Sequence, residues 1–173
     1  MIARSTLLAT LALALMLAAT SSAALQAPVL RIDHVADGDT VDLTNGAKVR
    51  LVQIDTPEVY FGVECYGRQA SAVTKRLLPS GTRVLLVAEP ATDRVDQYGR
   101  LLRYVIRAGD GLNINLHLVA VGAAAPYFYR GRRGRFASRL EALAQRARRL
   151  RLGLWEACPR TPYNPNAGVA TRR

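Results

Sequence analysis

The stretch DGDTVDLTNGAKVRLVQIDTPE, residues 37–58, decides the fold. At its centre, Asn45-Gly46 is a strong β-hairpin signal, because both residues tolerate the left-handed backbone of a two-residue turn. The pattern predicts one strand over residues 40–43 and its return partner over residues 48–54. Both faces of the return strand carry apolar residues, so the hairpin indicates a curled sheet that closes on itself.

The sequence on either side of this hairpin predicts more strands and about three helices. Further strands are expected over residues 29–35, 83–88 and 101–107. Apolar spacing predicts a first helix over residues 68–78, and Asn115 is placed to cap a short second one. The last helix is expected to carry an apolar stripe from Phe136 to Leu150. This order predicts an α+β domain whose five curled strands close as an oligonucleotide-binding-type β-barrel.

The N-terminal stretch is typical of a secretory signal peptide. Arg4 supplies a positive start, residues 7–19 form an apolar run, and small residues follow. The run is shorter than the roughly 20 residues that span a bilayer. We therefore expect a signal peptide over residues 1–24, a secreted or periplasmic protein, and no stable membrane anchor after cleavage. One domain is expected over residues 28–158, and a disordered tail containing Pro and Arg over residues 159–173.

The composition is strongly basic. The chain has 24 Lys and Arg residues against 13 Asp and Glu residues, a formal net charge of +11. A field this positive favours polyanionic partners and raises their association rates. Charge alone leaves nucleic acid, an anionic membrane and an anionic cell wall as candidate partners, so it sets the class of partner and leaves the chemistry open.

Two carboxylates are brought together by the predicted hairpin. Asp39 opens one strand and Asp55 ends its partner, so both lie at the end opposite the turn. Carboxylate oxygens are the ligands that calcium and magnesium prefer, and Thr56 can add its backbone carbonyl. The alternative is that Asp37 and Asp39 merely form a turn. The delivery of a second carboxylate to the same sheet end favours a metal site.

Three further side chains fit phosphodiester chemistry around such a metal. Glu58 follows Asp55 by three residues and could orient or deprotonate a water molecule. Arg50 lies on the strand between the acidic clusters, and Arg100 starts another strand after Tyr98 and Gly99. Guanidinium forks suit a phosphate and its developing charge. Taken singly, Glu58 reads as a solvated loop residue and each arginine as an ion-pair partner, so the prediction depends on the whole set.

Several motifs in one order point to a known family. They are Asp37-Gly38-Asp39-Thr40, Arg50-Leu51, Asp55-Thr56-Pro57-Glu58, Tyr66-Gly67, Ala70-Ser71-Ala72, Asp96-Gln97-Tyr98-Gly99-Arg100, Tyr127-Phe128-Tyr129 and Gly153-Leu154-Trp155. With these motifs the chain resembles the staphylococcal nuclease (thermonuclease) family over about residues 29–155. The resemblance implies the barrel fold of that family and the cleavage of DNA and RNA to 3′-phosphate products.

The resemblance also implies a role for each site residue. It implies a calcium ion bound by Asp39, Asp55 and the carbonyl of Thr56. It implies three catalytic side chains, with Arg50 bridging the scissile phosphate, Glu58 handling the attacking water and Arg100 stabilising the transition state near the leaving oxygen. Tyr98, Tyr127 and Tyr129 match positions that contact the nucleotide, where tyrosines can stack on bases without reading sequence. Gln97 is a departure, because the best-known member has Lys there.

Cys65 and Cys158 are the two cysteines of the chain. An exported chain with an even number of cysteines usually pairs them, so we expect a disulfide, with two free thiols as the alternative. Two thiols without neighbouring histidines cannot complete a zinc shell. If Trp155 packs near the start of the first helix, the bridge ties the C-terminal segment to the barrel, outside the proposed chemistry.

Three functions fit these observations to different degrees. The sequence favours a secreted, calcium-dependent, sugar-nonspecific endonuclease that acts as a monomer on DNA and RNA. The alternative is a catalytically weak nucleic-acid-binding module of the same fold, but such a module would lack Arg50, Glu58 or Arg100. An adhesin for anionic wall polymers accounts for the Arg-rich last helix and leaves the carboxylates unexplained.

Overall fold

The computed structural model describes residues 30–60 and 62–166, and the signal peptide expected over residues 1–24 lies outside them. The strands are β1 (Leu30–Val35), β2 (Thr40–Leu43), β3 (Lys48–Leu51), β4 (Ile54–Asp55), β5 (Arg83–Ala88), β6 (Leu101–Arg107), β7 (Leu112–Asn113) and β8 (Ala125–Pro126). The helices are α1 (Gly67–Leu77), α2 (Ile114–Ala120), α3 (Ala137–Arg149) and α4 (Leu154–Ala157), with a 3-10 turn at Tyr129–Gly131. No helix within the described ranges is long and apolar enough to cross a membrane.

Five strands close into a barrel. They pair antiparallel in the order β3-β2-β1-β5-β6, and β3 pairs parallel with β6 to complete the circle. The interior is filled by fully buried side chains, among them Ile32, Val41, Val49 and Val105. The α+β fold and the five-stranded oligonucleotide-binding-type barrel are therefore confirmed. β7 extends the edge of β6, and β4 pairs with β8 in a separate two-stranded sheet.

The return strand of the hairpin is shorter than predicted. The Asn45-Gly46 turn forms, with Gly46 at a φ of +83°. The predicted strand over residues 48–54, however, ends at Leu51, and residues 52–53 form a turn before β4. Gln53 adopts a left-handed φ of +66°, and its buried side chain stabilises this conformation by donating to the Arg132 carbonyl at 2.8 Å and accepting from Gly134 N at 2.7 Å. The break turns β4 away from β2 and toward β8.

The cap of α2 differs from the prediction. Asn113, not Asn115, caps this helix, because its Oδ1 accepts a hydrogen bond from Leu116 N at 3.1 Å. Asn115 lies within the helix and is completely buried. Its side chain accepts from Val105 N at 3.0 Å and donates to the Val52 carbonyl at 2.9 Å. The amide thus satisfies one backbone group within β6 and one just after β3, a requirement that local sequence does not reveal.

Helix α3 packs one face on the domain and exposes arginines on the other. Its buried residues are Ala137, Leu140, Ala144 and Ala147. Leu150, which was expected in the apolar stripe, follows the helix and is 55% exposed. The stripe therefore ends one turn earlier than predicted. The outer side carries Arg139, Arg146, Arg148 and Arg149, all exposed.

The C-terminal end packs into a second, smaller cluster. Leu154, Cys158 and Tyr163 are buried there together with Ala125 of β8, and Tyr66 and Trp155 pack against them. A disulfide joins Cys65 and Cys158 across 93 residues, as expected from the sequence. Within the tail expected to be disordered over residues 159–173, Tyr163 and Pro165 are buried, and the disorder of this segment stays a prediction. Residues 167–173 lie outside the described part of the chain.

Candidate active site

One guanidinium group holds two carboxylates together at an end of the barrel. Nη1 of Arg50 contacts Oδ1 of Asp39, and Nη2 of Arg50 donates to Oδ1 of Asp55 at 2.8 Å. The Arg50 and Asp55 side chains are only 15% and 14% exposed, so the charges are largely shielded from water. The other Asp39 oxygen, Oδ2, accepts from the backbone N and the Oγ1 of Thr56, at 2.8 and 3.0 Å.

Backbone packing explains why these residues converge. Thr40 of β2 and Arg50 of β3 are paired in register, and Leu51 N donates to the Asp39 carbonyl at 2.8 Å. Gly38 approaches Thr56 so closely that a Cβ at this position would lie 2.5 Å from Thr56 Oγ1. A larger residue at position 38 would push the acidic turn away from Thr56. The Asp-Gly-Asp spacing therefore has a steric reason in addition to a chemical one.

The carboxylate pair fits a hard divalent cation. Asp39 and Asp55 direct oxygens at a common positive group, and Thr56 lies against Asp39, so oxygen ligands of the preferred type converge here. Within residues 30–60 and 62–166, no group of three or more His, Cys, Asp and Glu side chains could hold a metal ion. A cation would therefore need oxygen ligands beyond these two carboxylates, and their identity as the Thr56 carbonyl and water molecules stays a prediction.

Arg100 is held at the same end of the barrel by a tight acidic turn. Its Nε donates to Asp96 Oδ2 at 2.7 Å, and its Nη1 approaches Thr40 Oγ1 at 3.4 Å. Burial opposes ionisation of Asp96, but hydrogen bonds from the backbone and guanidinium of Arg100 and from Tyr98 N outweigh it. The pKa of Asp96 is consequently lowered from its ordinary value of 3.8. This carboxylate stays charged at neutral pH and fixes the orientation of Arg100.

The predicted catalytic residues face a common cavity of about 570 Å³. Its lining includes the predicted residues Arg50, Asp55, Glu58, Tyr98, Arg100, Tyr127 and Tyr129. Asp39 and Thr56 are buried beside this lining. Asp39 contacts the lining residue Arg50, and Thr56 follows the lining residue Asp55 in the chain. The structure thus brings every predicted metal and catalytic residue to one site. Their roles in catalysis remain predictions.

The three tyrosines differ in exposure. Tyr98 is 72% exposed, and the guanidinium of Arg100 lies 5.3 Å from the centre of its ring. Tyr129 is also exposed, with the guanidinium of Arg130 at 5.1 Å. Tyr127 is half-buried and donates its backbone N–H to the Gln53 carbonyl at 3.0 Å. Two rings are therefore open for stacking beside a cation, while Tyr127 forms part of the wall.

Some residues of the cavity are not among the site residues predicted from the sequence. Arg130 and Arg132 line it, and Arg132 forms an ion pair with Asp93 at 2.8 Å. Gln53 holds the loop that carries them through its bonds to residues 132 and 134. A lone glutamine within an apolar strand pattern was the available signal for such a role. Its left-handed backbone could not be read from the sequence.

Comparison with known proteins gives the family. Residues 48–157, more than half of the chain, match the family described as staphylococcal nuclease homologue. An Escherichia coli protein named an uncharacterized endonuclease is 34% identical over 137 residues, which cover 77% of this chain and 81% of the relative. Endonuclease YncB of Bacillus subtilis is 32% identical over 143 residues, covering 79% and 64%. The SPbeta prophage-derived endonuclease YokF of Bacillus subtilis is 33% identical over 130 residues, covering 72% and 43%. The chain belongs to the staphylococcal nuclease family.

Proposed function

We propose that this nuclease is an exported, calcium-dependent endonuclease that cleaves both DNA and RNA and leaves 3′-phosphates. One observation carries the proposal: Arg50 and Asp55 line the same cavity as Glu58 and Arg100, and Arg50 holds the buried Asp39 beside Asp55. The relatives with the printed name endonuclease support internal cleavage. The two carboxylates and a carbonyl favour calcium, because the larger ion accepts an adaptable oxygen shell.

The protein groups divide the chemistry of phosphodiester hydrolysis among them. Arg50 and Arg100 donate hydrogen bonds to the phosphate oxygens and offset the negative charge that builds up in the transition state. Glu58 accepts a hydrogen bond from the attacking water and orients or deprotonates it. Arg100 acts nearest the leaving 5′ oxygen. A bound calcium ion would add a positive charge at the phosphate, held by Asp39, Asp55 and the Thr56 carbonyl.

The cavity wall favours binding without sequence selection. Tyr98 and Tyr129 present exposed rings next to arginines, and base stacking on such rings tolerates any base. The basic loop residues Arg130 and Arg132 add positive charge for the phosphate backbone. These contacts address bases and phosphates rather than the sugar 2′ position, which supports cleavage of both DNA and RNA.

The test is digestion of supercoiled plasmid and of a structured RNA by the purified mature protein. We expect cleavage of both in calcium, much less in magnesium, none in excess chelator, and 3′-phosphate ends on the products. Products with 5′-phosphates, or full activity in chelator, would contradict the mechanism. Retention of nucleic acid in a gel-shift assay without any cleavage would instead support the binding module. Cell fractionation with an antibody tests export, and a cytoplasmic location would refute that part.

A further inference from the structure

The loop after Glu58 is closed by a carboxylate that the proposed chemistry does not use. Oε2 of Glu64 accepts a hydrogen bond from the backbone N of Glu58 at 3.0 Å, and the backbone N of Glu64 donates to the Glu58 carbonyl at the same distance. Glu64 therefore forms hydrogen bonds with both backbone polar groups of Glu58, its N–H and its carbonyl. Because a side chain can be no better positioned than its own backbone, these two hydrogen bonds restrict where the Glu58 carboxylate can lie.

The C-terminal end of the chain holds Glu64 in turn. The hydroxyl of Tyr163 donates to Oε2 of Glu64 at 3.1 Å, so this oxygen accepts two hydrogen bonds. Cys65, the next residue, is joined to Cys158. Tyr163 is only 6% exposed, in the cluster with Cys158. We name residues 158–166 the C-terminal strap.

The C-terminal cluster that contains Tyr163 also packs against a second part of the active site. It contains Ala125 of β8, which is paired in register with Asp55 of β4. Gly67 brings α1 against the Glu58 carbonyl, since a Cβ at Gly67 would lie 2.2 Å from that oxygen. Packing from the strap, α1 and β8 thus converges on the backbone of the two acidic residues Asp55 and Glu58. The strap lies behind the site rather than in it.

We propose that Glu64 is a positioning residue for Glu58, and that the strap holds it through Tyr163 and the Cys65–Cys158 bridge. The proposal rests on the proposed function, because it assigns Glu58 to the reaction. It also revises the expectation that the disulfide lies outside the proposed chemistry, because Cys65 directly follows Glu64 in the chain.

The first test measures kcat and KM on a short single-stranded oligonucleotide. Glu64→Ala removes the two hydrogen bonds that Oε2 accepts, and kcat should fall on the order of 10²-fold, because a misplacement of about 1 Å can cost that much. Tyr163→Phe removes only the hydroxyl, and kcat should fall about fivefold, a smaller displacement on the same scale. KM should stay unchanged in both, because the substrate-contacting arginines and tyrosines are untouched. Glu64→Gln keeps an acceptor oxygen and should restore most of kcat.

Tyr104→Phe is the matched control. The Tyr104 hydroxyl also donates to a glutamate, Oε2 of Glu89 at 3.2 Å, and both residues are buried. This variant should lose thermal stability about as Tyr163→Phe does while keeping kcat. An unchanged kcat in Glu64→Ala, or an equal fall in kcat for Tyr104→Phe and Tyr163→Phe, would overturn the positioning role.

A second readout separates this inference from the proposed function. Amide hydrogen exchange of the free protein should be faster at Glu58 in Glu64→Ala and in Tyr163→Phe than in the wild type, and unchanged there in Tyr104→Phe. Unaltered exchange at Glu58 would overturn the inference even in an active enzyme. If the wild type cleaves no nucleic acid, the proposed function fails, and the exchange result alone decides whether the strap fixes Glu58.

Discussion

Arginines occupy two contrasting regions of this molecule, the barrel end and the outer face of α3. At the barrel end, Arg50 contacts two carboxylates and is only 15% exposed, and Arg100 is bound to Asp96. On α3, Arg139, Arg146 and Arg149 are exposed, and no ion pair holds them within the described residues. The side chain is the same, but the barrel end fixes its orientation and α3 leaves it free in water.

The contrast separates two uses of positive charge. A guanidinium held in place needs no reorganisation when charge develops on a phosphate, so it lowers a reaction barrier. A free guanidinium on the surface adds to the long-range field, which raises association rates and is screened by salt. The two regions should therefore differ in the kinetic parameter that each one affects.

The largest effect is expected at the catalytic residues. Glu58→Gln and Arg100→Ala should each lower turnover by about 10²–10³-fold, since each removes one preorganised partner of the reacting groups. Plasmid digestion and circular dichroism of each variant measure activity and fold. Arg139→Ala on α3 serves as the control and should keep wild-type turnover. Near-wild-type digestion by Glu58→Gln or Arg100→Ala would remove the distinction between the regions.

A large effect on stability is expected from Arg50→Ala. Without the guanidinium, Asp39 and Asp55 face each other largely buried and lacking their shared positive charge, which should cost about 3–5 kcal/mol of unfolding free energy. Calcium should recover part of this loss, because the cation takes over the neutralisation. Thermal melts with calcium and with chelator measure both. No stabilisation of either protein by calcium would argue against metal binding by these carboxylates.

The two regions should also differ, by a moderate amount, in how folding stability depends on pH. The pKa of Asp96 is lowered because hydrogen bonds from Arg100 and Tyr98 outweigh burial, and the pKa of Glu141 on α3 is lowered by its hydrogen bond from Arg133. A lowered folded-state pKa means that the folded protein binds fewer protons, so each group stabilises above its unfolded value and loses this contribution as the pH falls. As the pH falls, this loss of stability begins near the ordinary pKa values, 3.8 for Asp96 and 4.5 for Glu141.

Variants that cannot ionise measure this contribution. Asp96→Asn should flatten the acid limb of the plot of melting temperature against pH below about pH 4. Glu141→Gln should flatten it less, because its partner Arg133 is 48% exposed and the pair is screened by water. An identical acid limb for Asp96→Asn and the wild type would show that Asp96 does not hold Arg100 through its charge.

The smallest effect is expected on the outer face of α3. A triple variant with Arg139, Arg146 and Arg149 changed to Gln should retain kcat on a short oligonucleotide. Its affinity for long DNA should fall only a few-fold, and the salt dependence of binding should weaken by about 0.9 for each phosphate that the variant no longer neutralises. Titrations at several salt concentrations measure this slope. A fall in kcat on the short substrate would show that these arginines take part in catalysis and that the two regions do not differ in function.

Much of the site could be predicted because its residues are adjacent along one hairpin. Asp39 directly precedes β2, Arg50 lies on its partner β3, and Asp55 follows on the short strand β4, so the turn at Asn45 and Gly46 brings all three to one end of the barrel. Asn115 shows where local rules fail. It resembles a helix cap, but it is needed inside the fold to satisfy Val105 N and the Val52 carbonyl, and Asn113 takes the cap.

By itself, the sequence determined the barrel, the acidic and basic groups at its end, and the pairing of Cys65 with Cys158, because turn chemistry, strand alternation and cysteine number are local or countable properties. Only the tertiary structure decided that Gln53 breaks the return strand and that Tyr163 reaches Glu64. Tyr163 and Glu64 are 99 residues apart. Their contact depends on how the C-terminal cluster packs, and no spacing along the chain encodes such packing.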